Sequence, residues 1–336
     1  MAGLDQLPDA TGVARIVRAA TGRDARDMQI VGKGWTRLCW RVETDEGPLA
    51  VLIAVPKPSD GSDWDEARIE SDFAVLSRLS PLDDRVPRPF ATNRSDEVQG
   101  LAPTDVAWLV TTYAPGTLLA NVDPAAVPTP EVLGHEIGTL LAKLHAFPAS
   151  GFGMLVQQPD VLRETLQGRT ADRLSALLDR WPDLWPFDGS ALISHRIARN
   201  APQFLAALGT LREPLLRFAE VGESVVIHDD LNAANLTVRD GHLVSVIDFG
   251  DAFVGPPALE FATLAVRHGW TLVGAAIESY ERNTILREVR LAEAHQLAVV
   301  EVLARIGTHP EEPREQELIA FLEETLPLAL AQTRAV

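Results

Sequence analysis

The spacing of hydrophobic residues divides the chain into a first part with predicted strands and a longer part that is mainly helical. Short runs of apolar and β-branched residues within 29–55 and 106–112 predict strands. The pattern breaks at Ala114-Pro115-Gly116, so we expect an α+β protein with lobes over residues 1–114 and 115–336. Apolar residues at intervals of three and four predict helices over residues 10–21, 66–79, 132–145, 172–180, 192–208, 258–268, 270–281, 287–305 and 315–328.

Composition limits the classes of function that suit this chain. It has 336 residues, 46% of them hydrophobic, with a mean hydropathy of +0.03, and no apolar run approaches the ~20 residues that span a bilayer. The first residues lack a basic segment followed by an apolar core, and Cys39 is the only cysteine, so we expect a cytoplasmic protein without disulfides or membrane contact. The net charge of −17 argues against nucleic acid as a partner. It suits a cationic substrate, and a solvated acidic surface explains it equally well.

Two segments of the second half carry the strongest chemical signal. Residues 228–235 have the spacing H-x-D-x-x-x-x-N, and residues 248–250 are Asp-Phe-Gly. Phosphoryl transfer from ATP needs one carboxylate for the attacking hydroxyl and further oxygens for Mg²⁺. Asp230 suits the first task, and Asn235 and Asp248 suit the second. An Asp-Phe-Gly sequence alone can be a plain turn, but both segments in this order favour phosphoryl transfer.

The residues between these two segments predict a β-hairpin. Apolar, β-branched runs over 236–238 and 242–247 flank Asp240-Gly241, a turn sequence typical of two-residue hairpins. A hairpin returns the chain to its starting point. We therefore expect Asn235 and Asp248 to lie side by side, within reach of one ion.

Several segments resemble the aminoglycoside phosphotransferase and choline kinase superfamily of kinase-like enzymes, over roughly residues 29–281. They lie at 113–116 (Tyr-Ala-Pro-Gly), 140–145, 228–235, 246–251 and 255–262 (starting Gly-Pro-Pro-Ala-Leu-Glu). The resemblance implies a protein-kinase-like fold, with a small antiparallel-sheet lobe that has one main helix, a larger helical lobe, and ATP bound between them. It also implies these roles: Asp230 as catalytic base, Asn235 and Asp248 as Mg²⁺ ligands, His228 as a brace of the loop, Glu260 as a structural acid, and Tyr113 as a nucleotide contact in the hinge.

The first lobe lacks one residue that the resemblance implies. The strand over 49–55 should carry a cation that contacts the nucleotide phosphates and pairs with an acid on the next helix. Ala54 falls at that position, whereas the acid falls on Asp72, with Glu70 nearby. The departure leaves open the use of another nucleoside triphosphate. The candidates for the missing cation are Lys33 in the Gly-Lys-Gly turn, Arg41 on the neighbouring strand, and Lys57 just beyond the strand.

Asp229 is a second departure, because the resembling family has glycine at this position. Its carboxylate would attract a cationic group of the substrate or simply face solvent, and the sequence leaves both open.

We expect an ATP- and Mg²⁺-dependent O-phosphotransferase that acts on a hydroxyl of a small molecule, an aminoglycoside-like or other antibiotic. A kinase of amino alcohols or hydroxylated amino acids, similar to hydroxylysine kinases, is the alternative within the superfamily. A nucleotide-binding protein with little or no catalysis is favoured only by the missing strand lysine. A metal-dependent hydrolase that uses Asp229 and Asp230 is disfavoured by the spacing of Asn235 and Asp248.

Overall fold

The computed structural model describes residues 7–33, 37–55, 64–95, 98, 106–156, 165–182, 185–187, 192–308 and 312–331. In this part of the chain the α-helices are α1 (Ala10–Thr21), α2 (Trp64–Leu79), α3 (Pro130–Leu144), α4 (Arg173–Arg180), α5 (Ile197–Asn200), α6 (Leu205–Thr210), α7 (Arg212–Glu220), α8 (Pro257–His268), α9 (Trp270–Tyr280), α10 (Thr284–Thr308) and α11 (Glu312–Ala331). The β-strands of the same residues are β1 (Asp27–Lys33), β2 (Arg37–Glu43), β3 (Leu49–Ala54), β4 (Pro89–Thr92), β5 (Trp108–Thr112), β6 (Thr117–Leu118), β7 (Ala149–Ser150), β8 (Phe152–Leu155), β9 (Leu166–Thr170), β10 (Val225–Ile227), β11 (Leu236–Arg239), β12 (His242–Val246) and β13 (Phe253–Gly255). The predicted α+β class, with an antiparallel sheet near the N-terminus and a larger helical part after it, is confirmed.

The chain forms two compact units, and each is assembled from separate stretches of sequence. The first unit comprises Met1–Pro124, Gln157–Pro159 and Ala234–Asp251. The second comprises Ala125–Val156, Asp160–Ala233 and Ala252–Val336. The assignment of residues 1–114 to nucleotide binding and of 115–336 to catalysis and substrate binding stays a prediction.

A five-stranded antiparallel sheet, in the order β1-β2-β3-β5-β4, forms the body of the first unit. The central strand β3 is an aliphatic run that is buried along most of its length. Helix α1 begins at Asp9, whose side chain accepts the N–H of Gly12 at 2.8 Å, and it ends at Gly22 with φ 74°. The apolar side chains that α1 and the sheet share in one core include Val13, Ile16, Val17, Leu38, Val42, Val51 and Val110.

The register between β2 and β3 positions one charged residue of the site. Val42 pairs with Leu49 next to the turn, and the antiparallel pairing runs without interruption to Arg37 and Ala54. Directly opposed residues of antiparallel strands project their side chains to the same face. Arg37 and Ala54 are therefore neighbours on one face of the sheet.

The predicted hairpin is confirmed in β11 and β12. Arg239 pairs with His242, so the loop is the two residues Asp240 and Gly241. Their φ angles of 53° and 77° belong to the left-handed region that a type I′ turn requires at both positions. Beyond the far end of the hairpin, the carbonyl of Asn235 accepts the N–H of Ile247 at 3.0 Å.

Helices dominate the second unit. Helices α3 and α9 pack closely because Gly138 has no side chain: a β-carbon there would overlap the carbonyl oxygen of Ala276.

The second unit also contains a sheet in the order β10-β13-β8-β9-β7, of which β7, β8, β9 and β13 were not predicted. Among the described residues, no helix has the length and apolar character needed to cross a membrane. An apolar core of the unit includes Leu259, Ala262, Leu297, Val300, Leu303 and Leu322.

The predicted helix over residues 192–208 is wrong. The structure has a 3-10 turn at Leu192–Ser194, then α5, a second 3-10 turn at Pro202–Phe204, and α6. Pro202 lacks a backbone N–H, and its ring clashes with the preceding helical turn. Ala201 before it has φ −148°, which ends the helix.

Candidate active site

A buried cluster of charges joins three elements of the first unit. Nη1 of Arg37, on β2, lies 2.7 Å from Oδ2 of Asp72, on α2, and 2.9 Å from Oδ1 of Asp248. The other oxygen of Asp72 accepts the backbone N–H of Phe249 at 3.0 Å. The side chains of Arg37 and Asp72 are 9% and 1% exposed. One guanidinium therefore ties a strand and a helix to the Asp-Phe-Gly segment.

Burial and the neighbouring charges shift the pKa values of Arg37 and Asp72. Burial alone would lower the pKa of Arg37, but Asp248 and Asp72 outweigh it and raise the pKa above its usual value. Burial raises the pKa of Asp72, Arg37 opposes the shift, and the negative charge of Asp248 adds to it. The guanidinium is stabilised by two carboxylates, so Arg37 is firmly charged.

The predicted Mg²⁺ ligands both belong to the first unit. Asn235 is buried and adjoins the Ile247 N–H at the open end of the hairpin, which places it near Asp248 as the turn predicted. Asp248 has φ 65°, an uncommon left-handed conformation for a residue with a side chain, and its side chain is 43% exposed. An amide and a partly exposed carboxylate are hard oxygen donors. They fit Mg²⁺, which commonly binds one or two protein oxygens together with phosphate and water.

The loop that carries Asp230 lies in the second unit and is held by buried polar groups. Glu260, on α8, is fully buried, and its carboxylate accepts the backbone N–H of His228 at 2.5 Å and that of Asp229 at 3.1 Å. Nδ1 of the buried His228 lies 3.3 Å from the backbone N of Asp230, which donates to it. The implied structural roles of Glu260 and His228 have their contacts here: both fix the main chain that carries Asp230.

The carboxylate of Asp230 is oriented on both sides. Nδ2 of Asn232 donates to Oδ2 at 2.8 Å, and Nη2 of Arg267 lies 3.2 Å from Oδ1. The side chain is 29% exposed. Asp230 therefore keeps a fixed direction and remains accessible, as a group that contacts a substrate hydroxyl must be.

Neither expectation for Asp229 is correct, because its carboxylate is 8% exposed and is held by the protein itself. It pairs with Arg180 of α4, which also pairs with Glu301 of α10. Glu301 has Arg305 at 3.5 Å as well. The backbone of Asp229 has φ 70°, a left-handed conformation that glycine adopts without steric cost.

Asp229 and Glu301 both pair with Arg180, but their pKa values shift in opposite directions. Burial outweighs the opposing charge of Arg180, and the pKa of Asp229 is raised to about 8. Burial acts in the same direction on Glu301, but Arg180 and Arg305 together outweigh it and lower the pKa of Glu301. Asp229 is thus the member of the pair that takes up a proton.

Two of the cations predicted for the nucleotide site, Arg41 and Lys33, form no ion pair with the helix acid Asp72 in the described part of the chain. Arg41 pairs with Glu43 at 2.7 Å, and its guanidinium carbon lies 4.8 Å from the centre of the Tyr113 ring. Lys33 is exposed on the edge strand β1. Lys57 lies outside the described residues. Nucleotide contacts by Lys33, Arg41, Lys57 and Tyr113 stay predictions.

Arg37 was not among the predicted cations, although the sequence contains the signal for it. The short turn that joins β2 and β3 fixes the pairing of the strands on either side. Counting outward from Val42 and Leu49 places Arg37 opposite Ala54. The cation beside Asp72 could have been found by this count.

Solved structures with a similar fold are kinase-like phosphotransferases. A mutant of aminoglycoside phosphotransferase APH(4)-Ia with ADP and hygromycin B has a TM-score of 0.60 and 12% identity, over 94% of this chain and 98% of that one. A putative fructosamine-3-kinase from Thermobifida fusca YX-ER1 has a TM-score of 0.59 and 19% identity, over 96% and 100%. The streptomycin–ATP complex of APH(2″)-IIa has a TM-score of 0.52 and 15% identity, over 96% and 97%. These likenesses confirm the kinase-like fold that the resemblance implied.

The sequence itself establishes the family. Residues 27–291, most of the chain, match the profile of the phosphotransferase enzyme family. No curated protein matches the chain. The chain belongs to the phosphotransferase enzyme family, and the prediction that it is a phosphotransferase is confirmed.

Proposed function

We propose that this enzyme transfers a phosphoryl group from ATP to a hydroxyl of a small molecule, with Mg²⁺ as the metal ion. The observation that carries the proposal is the carboxylate of Asp230, accessible and oriented by Asn232 and Arg267. The hydrogen bonds of Glu260 to the preceding backbone support it, because they hold the loop in one conformation.

In the proposed reaction, Asp230 directs the acceptor hydroxyl toward the terminal phosphorus of ATP. A bond forms between the hydroxyl oxygen and phosphorus, the bond from phosphorus to the bridging oxygen breaks, and ADP leaves. The proton of the hydroxyl passes to Asp230. Asn235 and Asp248 would hold Mg²⁺, which when bound neutralises charge on the phosphates. Since phosphoryl transfer asks little covalent chemistry of the protein, positioning is the main contribution of Asp230.

The variant Asp230→Asn tests this proposal, because it keeps the shape of the side chain and removes its charge. We expect turnover to fall by about 10²–10⁴-fold, while ATP·Mg²⁺ still binds. The assay measures ADP release with a panel of amino alcohols, hydroxylated amino acids and aminoglycosides. Asp179→Asn, an exposed aspartate of α4, is the control and should keep full turnover.

The other outcomes of this assay separate the alternatives. A wild type that binds ATP·Mg²⁺ but phosphorylates no acceptor would be a nucleotide-binding protein without catalysis. Phosphate release that needs no acceptor would indicate a hydrolase. Equal turnover of Asp230→Asn and wild type would refute the role of Asp230.

A hydroxylated amino acid is the second candidate for the acceptor, and the arginine beside Asp230 favours it over an aminoglycoside. Arg267 contacts Asp230, and the charge of Arg305 is close enough to contribute to lowering the pKa of Arg267, although burial is the larger cause. Arginine binds a carboxylate through charge-assisted hydrogen bonds and repels a polycation. An acceptor that presents its hydroxyl to Asp230 would therefore place a carboxylate near Arg267.

Matched acceptors test this second candidate. Turnover is compared for a hydroxylated amino acid and for the amino alcohol that lacks only its carboxylate. We expect a higher kcat/KM for the amino acid, and we expect Arg267→Gln to reduce the difference. Better turnover of the amino alcohol, or of an aminoglycoside, would reject a carboxylate-bearing acceptor.

A further inference from the structure

Arg37 uses only one of its two terminal nitrogens. Nη1 lies between the carboxylates of Asp72 and Asp248. Nη2 is buried, and no atom of the described residues accepts a hydrogen bond from it. Buried donors in native proteins almost always have an acceptor. This nitrogen therefore lacks a partner that a ligand could supply.

The unpartnered nitrogen lies against the Asp-Phe-Gly segment. A β-carbon on Gly250 would overlap Nη2 of Arg37, so this position needs glycine for the space that the guanidinium occupies. Asp248, two residues earlier, is partly exposed and is contacted by the other nitrogen of the same arginine. A ligand that reaches Nη2 therefore comes close to the predicted metal ligand.

The neighbouring strand leaves room for this arrangement. Ala54 stands directly opposite Arg37 and projects to the same face of the sheet. A long cation at position 54 would compete with Arg37 for the same acid, Asp72. The small side chain at one position and the arginine at the other are therefore complementary.

We infer that Arg37 binds a phosphate oxygen of the nucleotide through Nη2 and so replaces the cation absent from position 54. This inference rests on the proposed function, and it assigns to Arg37 the binding of the nucleotide that donates the phosphoryl group. A guanidinium suits this task because it keeps one nitrogen on Asp72 and offers another in a fixed direction. The ligand class is a nucleoside di- or triphosphate.

The charge of the cluster also affects how a nucleotide binds. One arginine and two carboxylates carry a net negative charge, which by itself repels a polyphosphate. A divalent cation at Asp248 reverses that sign. Binding of ADP or ATP should therefore depend on Mg²⁺ more strongly than binding of adenosine, which carries no phosphate.

Four variants test the inference by calorimetry, with melting temperatures as a check of folding. Arg37→Lys keeps a charge near Asp72 but has a single nitrogen in place of the three of arginine, and Arg37→Met removes the charge. The double variant Arg37→Met/Ala54→Lys moves the cation to the opposed position on β3. The control is Arg18→Met, which breaks an exposed ion pair with Asp24 in the same unit.

We expect Arg37→Lys and Arg37→Met to weaken ATP·Mg²⁺ by about 10–100-fold, the effect of losing a hydrogen bond to a charged group, and to leave adenosine affinity unchanged. The double variant should regain most of the lost affinity, and the control should match wild type. Unchanged ATP·Mg²⁺ affinity in a folded Arg37→Lys protein would overturn the inference, as would equal losses for ATP and adenosine. If Arg37→Met does not fold, Arg37→Lys decides. A wild type that does not bind ATP·Mg²⁺ would instead refute the proposed function.

Discussion

Asp229→Asn should make the stability of the protein less sensitive to pH. Burial raises the pKa of the Asp229 carboxyl to about 8 in the folded protein, against an ordinary value of 3.8. Between these values the folded state holds one proton more than the unfolded state. Stability therefore falls as pH rises through this window, because ionisation costs more in the folded protein. Asparagine cannot ionise and also tolerates the left-handed backbone of this residue.

The size of the effect follows from proton linkage. A difference of one whole proton changes the free energy of unfolding by ~1.4 kcal/mol per pH unit. Between about pH 5.5 and about pH 7.5 the variant should therefore gain up to ~3 kcal/mol relative to wild type. The groups that face Asp229 set this limit: Arg180 stabilises the charged carboxylate, whereas Glu301 and Glu260 oppose it.

Urea unfolding at several pH values measures the difference in the free energy of unfolding. Asp240→Asn is the matched control, because Asp240 is also left-handed at φ 53° but lies in an exposed hairpin turn. The control should follow wild type at every pH. A constant difference between Asp229→Asn and wild type across this range would show that Asp229 is already ionised, and the reasoning from its burial would be wrong.

Two further changes test the packing and the loop. Gly138→Ala should lower the free energy of unfolding by about 1–3 kcal/mol, because the new methyl group overlaps the carbonyl of Ala276. The control is Gly274→Ala in α9, where a new methyl group would meet nothing within 4 Å. It should raise the free energy of unfolding by up to ~1 kcal/mol. Chemical denaturation measures both, and equal effects would contradict the close approach of α3 and α9. Glu260→Gln presents an amide donor where two backbone N–H groups need an acceptor. We expect the free energy of unfolding to fall by about 1–3 kcal/mol and kcat to fall as well. A variant with normal stability and kcat would show that the loop does not depend on this carboxylate.

Local turn chemistry made the hairpin of the site predictable. The pair Asp240-Gly241 adopts positive φ at both positions, and this requirement is visible in the sequence alone. Arg37 could have been predicted in a similar way. The turn between β2 and β3 determines their register, and the register places Arg37 opposite Ala54.

The environment of Asp229 was not predictable in this way. Its partners, Arg180 and Glu301, come from helices far away in the sequence, and no local pattern links them to the loop. Only packing within the second unit decides that this carboxylate points inward. The broken helix at residues 192–208 had a local cause, since Pro202 was visible and its effect on the helix was underestimated.

The segment of residues 234–251, which contains the hairpin of β11 and β12, also bears on when the first unit can finish folding during synthesis. Its strand β11 pairs with β6, and the carbonyl of Arg85 accepts the N–H of Val246 and the hydroxyl of Ser245, at 2.9 and 2.7 Å. These partners emerge from the ribosome long after the five-stranded sheet is complete. We therefore expect the nascent first unit to finish folding only after residue 251 has been synthesised, because the carbonyl of Arg85 and strand β6 have these partners in the folded protein. A fragment that ends at residue 124 would lack these contacts, and an exchange of this unit between related enzymes must carry the hairpin with it.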